Sequence, residues 1–136
     1  MAEKRLREPI RIFRGLDVYN MAREQCGVIF RLSRTFPADE KFALTSQIRN
    51  ASRAVCAMIA EAWGRRRYEA AFASKLNEAM GEAMETQAWL DQALDCAYIS
   101  DKQFAELDAH WQHIGGKLNR MIDRSSDFCP PSTERS

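Results

Sequence analysis

Residues 70–97 read AAFASKLNEAMGEAMETQAWLDQALDCA, a stretch with no proline. Within it Phe72, Leu76, Ala79, Ala83, Leu90, Leu94 and Ala97 recur in steps of three, four or seven. Those steps return to one face of an α-helix and match the seam of left-handed bundle packing. A helix of this length over about 70–97 has an apolar stripe that it cannot bury alone. Its partners must come from the flanking chain.

Upstream, Leu44, Ile48, Ala51, Val55, Met58 (or Ile59) and Ala62 form a second stripe, predicting a helix from near Asp39 to about Trp63. Pro37 and the acids Asp39 and Glu40 suit its start. Gly64 suits a C-terminal cap, and Arg65, Arg66 and Arg67 suit the negative end of the helix dipole. Further upstream, Val18, Ala22, Cys26 (or Gln25), Ile29 and Leu32 predict a helix over about 17–34, with Asp17 as N-cap and Phe36-Pro37 as its stop. Downstream, Tyr98-Ile99 is a short connection, and Ser100 with Gln103 makes a capping box. Phe104, Leu107, Trp111, Ile114, Leu118 and Met121 then give a fourth stripe. Gly115-Gly116 interrupts it and is read as a point of close packing. Short connections make neighbouring helices antiparallel, so the fold expected is all-α, an antiparallel up-down four-helix bundle. Residues 1–14 read as a basic arm, 15–127 as the bundle and 128–136 as a disordered tail.

The chain has 136 residues, 46% hydrophobic, which is enough for one core and leaves no room for a second domain. It has no apolar run long enough for a membrane span and no apolar stretch at the N-terminus that suits a secretion signal, so a cytoplasmic address is expected. Cys26, Cys56, Cys96 and Cys129 are widely spaced and form no C-x-x-C pair. The first three read as small core hydrophobes and Cys129 as a free thiol in the tail. Net charge is +1, but residues 1–67 hold 14 Lys/Arg against 7 Asp/Glu while residues 68–136 hold 6 against 12. Such a division either steers a partner or is consumed where basic helices meet acidic ones.

No constellation for catalysis stands out. His110 and His113 sit three apart, but no Glu-x-x-His occurs anywhere, so neither a di-iron site nor any other metal or cofactor is expected. No G-x-S-x-G, phosphate loop or cysteine with an adjacent base is present, which argues against an enzyme and a small-molecule substrate. Two charged series remain. Glu78, Glu82 and Glu85 line one side of the third helix. Arg49 and Arg53 lie one turn apart on the second, and Arg65, Arg66 and Arg67 follow at its end. Five arginines suit phosphate contacts with nucleic acid. Alternatively Arg49 and Arg53 pair with the glutamates, within the subunit or across an interface. Trp63 and Trp89 are candidates for an intersubunit layer, whereas Trp111 fits a core position at least as well.

Phe36-Pro37, Glu40, Leu44-Thr45-Ser46-Gln47-Ile48-Arg49, Ile59-Ala60-Glu61 and Gly64-Arg65, followed by Glu85-Thr86-Gln87, Leu90 and Tyr98-Ile99, form an ordered pattern over about residues 13–125. It resembles the bacterial family of 23S ribosomal RNA intervening-sequence proteins, to which the accessory variability determinant of diversity-generating retroelements is related. The resemblance implies an up-down bundle assembled into a homopentamer, with RNA or other nucleic acid bound on basic surfaces. Arg49 and Arg65 are the basic positions it carries over; Arg53, Arg66 and Arg67 come from reading the residues themselves. The sequence departs from the family at Ala54-Val55-Cys56-Ala57-Met58, where members usually read Ser-Ile-Pro-Ser-Asn. Losing the proline restores a backbone donor, and losing serine and asparagine makes the stretch more apolar. The alternative is a structural or adaptor oligomer that binds a protein partner and uses its charges between subunits. A ring needs two different complementary faces, which a basic first half and an acidic second half supply.

Overall fold

A computed structural model describes residues 9–131, and every long element in it is helical. A 3-10 turn at Phe13–Gly15 leads into α1 (Asp17–Ser33), followed by α2 (Leu44–Gly64), α3 (Glu69–Asp95), α4 (Asp101–Asp123) and a single-turn α5 (Ser125–Phe128). Side-chain contacts between the helices give the directions. Cys26 meets Cys56 while Ser33 meets Arg49, so α1 and α2 run antiparallel. Lys75 reaches back to Glu61, and Tyr98, just past α3, reaches Glu40, just before α2. Gln87 bonds Asp108 and Gln112, whereas Glu69 bonds Ser125. Each helix therefore packs against the next in the opposite sense, and α1 closes the ring on α4. This is the up-down antiparallel bundle expected from the four stripes.

The core follows those stripes with local shifts. Ile48, Val55, Ile59, Phe72, Leu76, Leu90, Trp111, Ile114 and Leu118 are fully buried. Ile59, not Met58, faces inward, and in α1 Gln25 is the buried residue of its pair while Cys26 turns toward α2. On α3 the inward position near the end is Ala93; Leu94 is half-buried and Ala97 exposed. Cys96 is likewise exposed and is not a core residue. The tail begins later than residue 128, for the Phe128 ring stacks on Phe72 at 5.9 Å and Cys129 packs against the core. Its remainder at 132–136, and the part of the basic arm at 1–8, lie outside the described residues.

The helix ends depart from expectation for physical reasons. Leu16, 3% exposed, occupies the N-cap of α1, so Asp17 is its first residue and acts on the dipole instead of capping. Residues Ala38–Glu40 form a 3-10 turn, and α2 begins only at Leu44. Glu40 explains the delay. Its Oε2 accepts a 2.9 Å hydrogen bond from Tyr98 Oη, and its Oε1 lies 3.4 Å from the Leu44 amide, where it serves as a distant cap. Gly64 stays helical and Arg65 takes the cap of α2. At the end of α3, the Tyr98 amide donates to the Ala93 carbonyl and the Ala97 amide to that of Leu94, both at 2.9 Å. Those two bonds are a Schellman stop, with Ala97 at φ 61° in the left-handed position that usually takes glycine. The Ser100–Gln103 capping box forms as expected.

Candidate nucleic-acid interface

The five arginines do not share a surface. Arg49 and Arg53 lie on the flank where α2 meets α1, whereas Arg65, Arg66 and Arg67 sit at the bundle end, about 18 Å further along the helix axis by the 1.5 Å rise per residue. On the flank, the Phe30 ring is 38% exposed and carries guanidinium groups at 4.7 Å from Arg49, 5.7 Å from Arg53 and 5.8 Å from Arg34. These separations suit cation–π attraction. Arg49 is also tied down: its Nε donates to Ser33 Oγ at 2.7 Å and its Nη2 to the Phe30 carbonyl at 3.4 Å. The Phe30 carbonyl, which also accepts from Ser33 Oγ at 3.1 Å, lies near the negative end of α1, where a cation is favoured. Arg49 orders the surface, and Arg34 and Arg53 are its exposed charges. Among the described residues no carboxylate comes within 4.0 Å of these three arginines.

At the bundle end the arginines have different neighbours. Arg65 lies 4.0 Å from Glu61, a contact worth little at an exposed site. Arg66 lies over the Trp63 ring at 3.5 Å, and its Nε donates to the Trp63 carbonyl at 2.9 Å. Partial burial lowers the Arg66 pKa, an effect that the nearby Cys129 opposes. Arg67 is exposed. Beside this end, a groove of about 730 Å³ opens between the start of α1 and the end of α4, with Lys117, Arg120 and Arg124 on its wall and Phe128 at its edge. These cations belong to the acidic half of the sequence, and charge counting along the chain passes over them. Their spacing of three and four on one helix was the signal available.

The acidic series does not pair with Arg49 or Arg53. Lys75 bridges Glu78 at 3.0 Å and Glu61 at 3.3 Å. Glu85 accepts from Trp89 Nε1 at 3.2 Å, and no cation reaches Glu82 or Glu85 among the described residues. Burial raises the Glu82 pKa, and the neighbouring Glu85 raises it further. The pairing of Arg49 and Arg53 with Glu78, Glu82 and Glu85 is thus not made within the subunit. Trp63 is 8% exposed and Trp89 half-buried, while Trp111 is fully buried in the core. His110 and His113 both face solvent, and among the described residues no three His, Cys, Asp or Glu side chains gather. No described helix is long and apolar enough to cross a membrane.

Comparison with known proteins converges on one family. A crystallised protein of unknown function from Bacteroides thetaiotaomicron, assigned to the S23 ribosomal protein family, superposes with a TM-score of 0.71 at 28% identity. The match covers 78% of this chain and 95% of that one. No curated protein matches. The model of the 23S rRNA-intervening sequence protein family matches residues 14–120, which takes in α1 to α3 and nearly all of α4. The chain belongs to the family of 23S rRNA-intervening sequence proteins.

Proposed function

We propose that this protein is a non-enzymatic cytoplasmic homo-oligomer, a pentamer by its resemblance to the family, that binds RNA or other nucleic acid through the α1–α2 flank. The supporting observation is the exposed Phe30 ring set among Arg34, Arg49 and Arg53, with no carboxylate among the described residues within 4.0 Å of them. An aromatic face offers stacking to any base, and guanidinium groups offer bidentate contacts to phosphate. Symmetric repetition multiplies a patch that is modest on one copy.

Fluorescence anisotropy with labelled single-stranded and duplex RNA, over a range of salt, tests this reading. Affinity falls steeply with salt, Arg53→Ala lowers the slope of log K against log salt by about one, and Phe30→Ala weakens single-strand binding about tenfold. Arg49 is left intact because it holds α1 to α2. Absence of binding at low salt, or unchanged affinity in both variants, rejects the reading. Loss of binding only in the Arg65→Ala, Arg66→Ala and Arg67→Ala triple variant moves the interface to the bundle end.

A second reading has its own support. Among the described residues Glu82 and Glu85 have no cation within 4.0 Å and lie either side of Met84, 60% exposed, while the arginine flank has no carboxylate within that distance. Two complementary faces on one chain are what a heterologous ring interface needs, so the protein is in this reading a structural adaptor whose charges meet between subunits.

A further inference from the structure

Cys26 on α1 and Cys56 on α2 place their sulfurs 3.4 Å apart, and none of the four cysteines is in a disulfide. The Cys26 thiol also lies 2.9 Å from the Ser52 carbonyl oxygen. The Arg53 and Arg23 guanidinium groups lie close enough to act on the pair electrostatically, Arg53 on Cys26 and Arg23 on Cys56. A cysteine that only fills a helix interface meets aliphatic carbon; these two meet each other, a carbonyl and positive charge. Both are half-buried, which leaves room for a small oxidant.

We propose that Cys26 and Cys56 form an oxidative modification site that a peroxide closes to an intramolecular disulfide, stapling α1 to α2. Two asymmetries assign the roles. The hydrogen bond with Cys56 is the largest influence on Cys26 and lowers its pKa, with the Arg53 charge acting the same way against burial. That same bond and burial raise Cys56 well above the ordinary thiol range. Cys26 is therefore the attacking thiolate and Cys56 the resolving thiol.

In the first step Cys26 Sγ forms a bond to one peroxide oxygen as the O–O bond breaks, giving a sulfenic acid, and the departing hydroxide takes a proton to become water. In the second step Cys56 Sγ attacks Cys26 Sγ, the S–O bond breaks, and the hydroxide leaves with the Cys56 proton as a second water. Each sulfur loses one electron and the peroxide gains two. The sulfurs need to close from 3.4 Å to about 2.05 Å, a movement within reach of side-chain rotation between adjacent helices.

The test uses the full chain, exposed to a small excess of hydrogen peroxide, alkylated and analysed by intact mass and peptide mapping. The expected product has lost two hydrogens, links the Cys26 and Cys56 peptides, unfolds at higher temperature and reverts with dithiothreitol. The Cys96→Ser/Cys129→Ser double variant behaves the same way. In Cys56→Ser, whose hydroxyl keeps a hydrogen-bond donor beside Cys26, the reaction stops at a Cys26 sulfenic acid that dimedone captures. Full alkylation of both cysteines after treatment overturns the proposal, as does irreversible oxidation of Cys26 without a bond to Cys56, or a Cys26–Cys56 link between two copies. The experiment involves no nucleic acid, so its outcome is independent of the function proposed above.

Discussion

Tyr98 and Glu40 show how one hydrogen bond can set an element boundary. Their 2.9 Å contact ties the α3–α4 connection to the segment before α2, and Glu40 then stands over the Leu44 amide. The bond to Glu40 is the main cause that lifts the Tyr98 phenol from 10.0 to about 12, and burial adds to it. A folded-state pKa above the unfolded one means that the folded protein holds the proton longer. The stabilisation is thus complete below pH 10 and is lost as pH rises from 10 toward about 12. Phenolate absorbance should show Tyr98 ionising late, and Tyr98→Phe should flatten the decline of melting temperature over that window. An equal decline in both proteins would show that the bond contributes nothing. Glu40 and Tyr98 were both visible in the family pattern, but their contact joins residues 58 positions apart. For that reason the sequence suggested a helix from Asp39, where the chain makes a 3-10 turn.

The helix stripes were legible because burial repeats with the helical period, and α2 and α4 bury nearly every residue so chosen. Stops were harder to see. Ala97 ends α3 in a conformation that costs an L-residue about 1–2 kcal/mol, and alanine gives no sign of it in the sequence. Ala97→Gly should therefore stabilise the protein by about 1 kcal/mol in denaturant melts, whereas a loss of stability would mean that the methyl group packs usefully. Gly115 reads as a point of close packing, yet among the described residues a Cβ placed there meets no atom within 4 Å beyond its own helix backbone and chain neighbours. It borders a shallow groove with Met80, Met84 and Gln112 instead. In an isolated chain Gly115→Ala should add about 1 kcal/mol through helix propensity. If a neighbouring subunit packs on this groove, the same change lowers the assembly mass and the gain disappears. The arginines were legible as residue types but not as one surface, because sequence spacing alone does not show which neighbour a helix face meets. Arg49 turned toward Ser33, and the glutamates of α3 lie elsewhere.

At the scale of the molecule, the ion pairs among the described residues leave part of the opposed charge of the two halves unmatched. Among the described residues, Glu61, Arg65, Lys75 and Glu78 join in ion pairs, while Glu82 and Glu85 on α3 and Arg34 and Arg53 on the α1–α2 flank meet no group of opposite charge within 4.0 Å. Leaving them so has consequences that depend on assembly. In a ring, the acidic face of one copy meets the basic flank of the next, the raised Glu82 pKa falls on gaining a cation, and the Phe30 surface is partly covered. In a nucleic-acid complex the flank stays open and the glutamates repel the backbone, which orients it. Solution mass by light scattering, at low and high salt, separates these arrangements. Reversal of Glu82 and Glu85 to lysine should break a charge-matched ring and leave a folded monomer, while Glu78→Lys, which also disturbs the bridge to Lys75, should act mainly on the subunit itself. Restoring assembly by adding Arg34→Glu and Arg53→Glu to the double lysine variant would show that the two faces meet. A mass unchanged by the reversal would place any interface elsewhere and leave the flank available for RNA.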